Sequence, residues 1–366
     1  MEILAALLAL LASSPARAAG IPTPALSSGA AESPAASTAP AADVEVTLSA
    51  VGDIRLSGPI AEIARADGAG APSKAVKDLL AADIEFANLE TPLTRRGTKT
   101  PKTWNFRSDP KDMKIVRAAG VNVVNVANNH VWDYGRDGFL DTLGYLEKDG
   151  WTYVGGGRDR AAAEEVRLFK FEGLTVGIVG LTSTHPEAAW AGPSKPGVAY
   201  SDFDRMAGIV GRAKARCDVL VVSFHGGTEL AEDANDIQKA VAHAAIDAGA
   251  DLFLGHHPHV LQPVELYKGK PILYSLGNFL FVSPHAETRP EVIARARLAK
   301  DGVRRLELIP LDGNWGRPKP ASPEIAAVAR TDLDRLGALE ARPDLIVFRA
   351  PSPAAPAPAA SAEAAK

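Results

Sequence analysis

An α/β fold is what this 366-residue sequence predicts, and three observations predict it. Short apolar, β-rich runs alternate with helical stretches along most of the chain, the pattern of βαβ units. The runs are continuously apolar rather than alternating, which suits strands covered on both faces. Six of them hand off within one or two residues to an Asp, Glu, Asn or His. In open α/β sheets the carboxyl ends of parallel strands form the ligand-binding edge.

Taken in order, the predicted strands are 44–51, 84–88, 121–126, 175–181, 218–224, 252–255 and 271–276, with 303–310 as one more. Helices are expected at 73–80, 110–118, 138–148, 202–215 and 234–248. Upstream, Ile3 to Ala12 is an apolar run followed by Ser13, Ser14, Pro15 and the small-residue sequence Ala16-Arg17-Ala18. That pattern predicts a secretory signal peptide over 1–19, hence export to the periplasm or cell envelope. The run is too short to span a bilayer as a helix. Residues 20–43 and 350–366 are almost entirely small residues and proline, which cannot bury enough apolar surface to offset chain entropy. They read as a linker and a tail, leaving 44–349 as the folded domain.

Composition excludes some functions. Forty basic residues against 44 acidic ones give a net charge of −4, and no basic run stands out, so nucleic acid is not an expected partner. An anionic polymer remains compatible with a local positive site. The one cysteine, Cys217, has no intramolecular partner and reads as a small residue at a strand entrance.

The chemistry sits at the strand ends. The 44–51 run leads into Gly52-Asp53, and 84–88 into Leu89-Glu90-Thr91. The 121–126 run leads into Ala127-Asn128-Asn129-His130, and 218–224 into His225-Gly226-Gly227. The 252–255 run opens onto His256-His257-Pro258-His259, and 271–276 delivers Gly277-Asn278. Imidazole, carboxylate and amide oxygen together suit Zn²⁺, Mn²⁺ or Fe²⁺. Two such ions sharing a carboxylate is the arrangement of many phosphatases and nucleases. Five of the eight histidines lie at these ends. Each element also has a plainer reading: Asp53 as a turn cap, Asn128-Asn129-His130 as a self-bonded turn, His225 as a hydrogen-bonded loop residue. Gly255-His256-His257-Pro258-His259 is the most specific segment, because residues two apart project to the same side of extended backbone. His256 would then point the other way, as a supporting or structural residue. His185, His243 and His285 fall outside the pattern, and His243, among helical alanines, reads as packed.

The ordered series Gly52-Asp53, Asn88-Leu89-Glu90-Thr91-Pro92-Leu93, Asn128-Asn129-His130-x-x-Asp133-x-Gly135, Gly255-His256-His257-Pro258-His259 and Tyr274-Ser275-Leu276-Gly277-Asn278-Phe279 resembles the CapA family. These are bacterial capsule and poly-gamma-glutamate synthesis proteins of the calcineurin-like metallophosphatase superfamily. The resemblance spans residues 46–282. It implies a four-layer αββα sandwich, two packed mixed sheets flanked by helices, with a site for two divalent ions at the strand ends. By position it implies Asp53, Glu90, Asn129, His225, His257 and His259 as metal ligands, with Glu90 bridging, and His130 as the residue that meets substrate phosphate or acts as general acid. Asp133 is expected to orient His130, and Asn128 and Asn278 to line the substrate pocket. Arg55 departs from the superfamily pattern, which usually has His there; it removes one ligand or offers its guanidinium to an anion.

Three activities fit these residues. One is a metal-dependent phosphoester hydrolase of the envelope. Another is a non-hydrolytic component of a capsule synthesis or export assembly that binds metal or the anionic polymer, alongside capsule-synthesis membrane proteins. The third is an amide hydrolase acting on a glutamyl polymer or cell-wall peptide.

Overall fold

Apolar runs with no polar alternation become strands when both of their faces can be buried, and this chain stacks two sheets to do so. The computed structural model describes residues 44–184, 186–341 and 346–348. The expected signal peptide, the 20–43 linker, the 350–366 tail and His185 lie outside the described residues. The first sheet has eight strands. Val46–Ile54, Ile84–Leu89, Val123–Asn125 and Thr152–Val154 run parallel. Pro290–Ala299 joins Val46–Ile54 antiparallel, and Gly302–Asp312 follows it antiparallel. The second sheet has six. Its parallel centre is Leu174–Thr182, Val219–His225, Leu252–His256 and Lys270–Leu276, edged by the antiparallel Arg167–Phe171 and Leu261–Tyr267.

Three buried clusters define the layers. Leu48, Phe86 and Val123 of the first sheet meet Val176, Val221, Leu254 and Leu273 of the second in one core between the sheets. A second core packs Val51 and Val124 under Met113, Ile115, Phe139 and Leu143, from the helices Met113–Ala119 and Gly135–Lys148. A third packs Val222 and Phe253 under the helices Phe203–Lys214 and Asp236–Asp247. The result is helix, sheet, sheet, helix, as expected. In Phe203–Lys214 the buried residues Met206, Ile209, Val210 and Ala213 follow helical spacing, and Asp202 caps its start by accepting from Arg205 N. Asn235 and Gln238 form a reciprocal capping box for Asp236–Asp247.

Element boundaries agree with expectation within a few residues, with two kinds of exception. Only Lys77–Leu80 of the expected 73–80 helix is helical, because the Ser73 carbonyl accepts from both Val76 N and Lys77 N in a turn that precedes it. The strands Thr152–Val154, Arg167–Phe171, Leu261–Tyr267 and Pro290–Ala299 and the helices Pro59–Asp67 and Pro323–Leu333 are among the elements the sequence reading does not include. Arg295 and Arg297 interrupt the apolar run of Pro290–Ala299, which hides the strand from a search for continuous apolar segments. No described helix is long and apolar enough to cross a membrane.

Candidate metal centre

Parallel pairing points the carboxyl ends of the central strands of each sheet the same way. The sequence predicts one rim; the structure instead has two rims facing one another, three strands contributing from each sheet. Asp53, Glu90 and Asn128–His130 stand in or just beyond the carboxyl ends of strands of the first sheet, whereas His225, His256–His259 and Asn278 stand in or just beyond those of the second. A single parallel bridge, Asp53 to Asn278, joins the sheets at this point. Asp53 N donates to Gly277 O at 3.1 Å, and Phe279 N donates to Asp53 O at 3.0 Å. The approach requires glycine: a Cβ on Gly52 would lie 1.9 Å from Gly277 O. The register of the first sheet also shifts between Ala50 and Asp53, which re-aims the Asp53 side chain.

Two groups of ligand atoms assemble there, each with its atoms within 4.8 Å of one another: Glu90, His225 and His257 in one, Asp53, Glu90 and His259 in the other. Glu90 belongs to both. Its Oε1 lies 3.5 Å from His225 Nε2, 3.8 Å from His259 Nε2 and 4.0 Å from His130 Nε2. Asn129 Oδ1 lies 3.0 Å from His225 Nε2, so the amide stands beside the first group. Asp53 Oδ2 is 3.2 Å from His259 Nδ1 and accepts from His257 N at 3.1 Å. Asp53, Glu90 and His225 are fully buried. Both Glu90 oxygens and His257 Nδ1 are buried with no hydrogen-bond partner. An unpartnered buried carboxylate costs several kcal/mol, roughly 3–5 when a charge loses its partner. A cation held by Glu90 would remove that cost, and the mixed O and N donors of the two groups suit divalent metals.

The electrostatics agree. Burial and the neighbouring Asp53 push the Glu90 carboxyl well above the usual range, while His259 opposes the rise. Burial, then the crowd of other imidazoles, pushes His225 well down. Burial and His259 push His257 down to about 3. Burial also pulls His259 downward, but Glu90 and Asp53 overcome it and raise His259 to about 10. Neutral imidazoles at His225 and His257 are in the state that ligates metal, whereas His259 holds a proton between Glu90 and Asp53 that a cation would have to displace.

His257 and His259 do not share one extended segment. Their φ values of 101° and 61° place both in left-handed backbone, and they enter different groups. His256 points back toward the first sheet, 3.6 Å from Asp53 Oδ1 and packed on Phe86. His130 is oriented by Asp133, whose Oδ2 lies 2.7 Å from His130 Nδ1. Asn128, expected to line the pocket, is spent on its own turn and the neighbouring strand: it donates to Leu89 O and Asn88 Oδ1 and accepts from His130 N and Val131 N. That leaves nothing of its side chain for a substrate. Asn278 Oδ1 sits 2.9 Å from His259 Nδ1, which makes it an orienting group for that ring. Arg55 Nη2 donates to Val282 O, and its guanidinium lies between the rings of Phe106 and Phe281 at 4.6 and 4.7 Å. His243 is a packed residue, stacked on Tyr267 and bound to Glu265.

Sequence reasoning missed three residues. Asn88 Nδ2 donates to Asp53 Oδ1 at 2.8 Å and lies 3.1 Å from His225 Nδ1, linking the two groups. Lys102 Nζ lies 2.5 Å from Asp133 Oδ1 and 3.1 Å from His130 Nδ1. Phe106 stacks on His130 with ring centroids 3.7 Å apart. Asn88 stands within a motif already singled out, but Lys102 and Phe106 lie in an aperiodic loop that carries no signal of its own.

A two-sheet α/β sandwich with carboxylate–imidazole groups sharing one glutamate where the sheets meet is the class of protein that the resemblance to the CapA family implies. More narrowly, the chain belongs to the family described as bacterial capsule synthesis protein PGA_cap, whose family model matches residues 47–283. The PGA biosynthesis protein CapA of Bacillus subtilis (strain 168) is 34% identical over 296 residues, covering 80% of this chain and 77% of that one. The capsule biosynthesis protein CapA of Bacillus anthracis is 31% identical over 287 residues, covering 76% and 70%. Among solved structures, the NAD nucleotidase of Haemophilus influenzae matches with a TM-score of 0.42 at 14% identity, over 84% of this chain and 65% of that one.

Proposed function

We propose that this chain is an exported, metal-dependent phosphoester hydrolase serving capsule or polyglutamate synthesis. The observation that carries the reading is Glu90, fully buried, with both oxygens unpartnered amid three imidazole nitrogens. Asp53, Glu90 and His259 would hold one divalent cation, and Glu90, Asn129, His225 and His257 the other. Such a pair supplies Lewis-acid chemistry, polarising a phosphoryl oxygen and neutralising the charge that develops on it. The chain's own residues do the rest. Arg55, whose buried Nε has no partner, presents a guanidinium donor to an anionic substrate oxygen. Asp133 holds His130 by Nδ1, leaving Nε2 to carry the proton that a departing oxygen takes. Membership in the capsule synthesis family supports the biological role, and the apolar leader over 3–12 supports action outside the inner membrane, beside membrane partners of polymer synthesis.

Metal analysis by mass spectrometry on the purified chain and on His257→Ala tests the site. About two equivalents of Mn, Zn or Fe in the wild type, reduced in the variant, together with turnover of an aryl phosphodiester, is the expected result. Metal without turnover of any phosphoester would overturn the hydrolase assignment. A second reading, anionic-polymer binding without hydrolysis, is favoured by Arg55 standing where the superfamily has a ligand. Restoration of capsule formation by Asp53→Ala in a deletion strain would establish it. Release of glutamate or peptide fragments would point to amide hydrolysis instead.

A further inference from the structure

Two of the five tryptophans have no place in the core. Trp132 and Trp151 are 8% and 7% exposed, and Trp190 stacks on Tyr200 and donates its indole N–H to Thr184 O. Trp104 and Trp315 are 70% and 67% exposed, more than any other large apolar side chain among the described residues. Each borders the same aromatic pair at the metal centre. Trp104 stands two residues before Phe106, and Trp315 lines a cavity of about 320 Å³ together with Phe281. Phe106 and Phe281 meet edge to face with ring centroids 5.8 Å apart, and their rings lie 4.6 and 4.7 Å from the Arg55 guanidinium carbon. Trp315 takes its exposed place on left-handed backbone, φ 56°, after Asn314 at φ 36°. Non-glycine residues adopt such backbone rarely, and it concentrates at binding sites.

The loop that carries Trp104 is basic. A bridge between Leu93 and Ser108 closes its base, and residues 94–107 hold Arg95, Arg96, Lys99, Lys102 and Arg107 with no acidic residue. Their spacing hides them from a search for basic runs. Carboxylates from outside the loop match three of them: Asp109 on Arg95, Asp141 on Arg96 and Asp133 on Lys102. Lys99 and Arg107 are exposed and have no carboxylate partner among the described residues, and Arg107 rests on the Tyr134 ring at 4.4 Å. The inner side of the loop is pinned. Thr100 N donates to Asp133 O, Phe106 N to Asp133 Oδ2, and Lys102 Nζ to Asn129 O. The outer side, with Trp104, is therefore presented on a fixed frame.

Exposed indoles beside unmatched cations fit an anionic lipid surface. An indole settles at the boundary of headgroups and acyl chains, apolar body inward and N–H toward water, while basic side chains beside it meet lipid phosphates. A protein partner requires an interface of roughly 800 Å² a side with an apolar centre. The exposed residues around Trp104 in the loop, Lys99, Pro101, Thr103 and Arg107, offer no such centre. An anionic polymer would take the cations and leave the indoles in water.

We propose that Trp104, Lys99 and Arg107, together with Trp315, dock the folded domain on an anionic membrane surface, with the mouth of the metal centre turned toward the headgroups. The proposal goes beyond the hydrolase reading and needs no bound metal.

Flotation of the full chain with lipid vesicles tests it. Vesicles containing phosphatidylglycerol should bind the wild type about tenfold or more tightly than pure phosphatidylcholine, and molar salt should remove the preference. Trp104→Ala and the double variant Lys99→Glu, Arg107→Glu should each weaken binding to anionic vesicles about tenfold, and Trp315→Ala about threefold. The apolar leader over 3–12 is present in every variant, so its contribution cancels in the comparison. Bromine-labelled phosphatidylglycerol reads which face enters the lipid. Its quenching of tryptophan emission should fall in Trp104→Phe and in Trp315→Phe and vanish in the double variant, because Trp132 and Trp151 are buried and the leader holds no tryptophan. Thermal melts should match the wild type throughout, and the quenching comparison uses only the conservative phenylalanine variants. Wild-type affinity in every variant, or quenching that survives the double phenylalanine variant, would assign the binding to the leader and overturn the docking face. Equal binding to neutral and anionic vesicles, or no binding to either, would overturn it as well. So would Trp104-dependent binding of dextran sulfate with no binding of vesicles, the signature of a polymer surface.

Discussion

Asn278 Oδ1 lies 2.9 Å from Nδ1 of His259, fixing the ring that stands between Asp53 and Glu90. The acceptor comes from the end of Lys270–Leu276, so this ring is held by its own sheet while facing carboxylates of the other. Groups that orient a ligating histidine tune metal affinity by about 10–100-fold. Asn278→Ala should therefore lower metal occupancy at the Asp53/Glu90/His259 group by that factor and spare the Glu90/His225/His257 group. Stoichiometry near one at limiting metal, against two in the wild type, is the expected readout.

Asp133 holds His130 on one oxygen and the Lys102 ammonium on the other. Asparagine keeps the shape and removes the charge, leaving Lys102 to oppose a protonated His130. Turnover on an aryl phosphodiester should fall about tenfold to a hundredfold, with metal content unchanged. Wild-type turnover in Asp133→Asn would reduce Asp133 to a support for the loop that carries Phe106, whose N–H it also accepts.

Gly52→Ala should be among the most damaging single-methyl additions in the protein. The added carbon would sit 1.9 Å from the Gly277 carbonyl oxygen, backbone against backbone, with no flexible side chain to yield. A loss exceeding about 3 kcal/mol in urea denaturation is expected, with the two sheets separating at the Asp53–Asn278 bridge. A variant with the wild-type midpoint would mean the sheets can part there without penalty.

Glu291 gives a pH signature. Its folded-state value lies well above the ordinary 4.5. A raised value means that its stabilising contribution is complete below the unfolded-state value and is lost as pH rises through the folded one. Glu291→Gln has no proton to lose. The wild type should thus lose stability relative to the variant as pH climbs above about 5, by at most about 1.4 kcal/mol per pH unit. Thermal melts of both proteins across that range should diverge; parallel curves would place the carboxyl in an ordinary, solvated state.

Much of the site was legible because of where its residues stand relative to strands. Asp53, Glu90, Asn129, His225, His257 and His259 each follow an apolar run, and strand direction alone brings such positions to a common edge. Direction could not reveal that the edge belongs to two sheets, since the pairing of Asp53 with Asn278 is a contact across the chain rather than along it. Nor could it reveal that neighbours two apart part company. The left-handed backbone of His257 and His259 is uncommon for residues with a side chain, and Pro258 between them favours extended backbone at His257 instead. Asn128 misled for a local reason: its amide satisfies the turn that presents Asn129 and His130. Lys102 was invisible because a lone lysine in a loop looks like any solvated charge until the loop folds back on His130.

The distances along the chain have a further consequence. Asp53 and His257 are 204 residues apart, and the two halves of the centre belong to sheets that must first be stacked. In an unfolded chain His257 and His259 stand near one another, but the carboxylates of Asp53 and Glu90 lie more than 160 residues away, so neither complete ligand group exists before folding. On the proposed metal reading, the choice of metal would be made after folding, in whatever compartment folding is completed, and would reflect what that compartment supplies. If the chain is exported and folds outside the cytoplasm, as proposed, it would escape the cytoplasmic metal pools, and the ion bound would record where it was assembled.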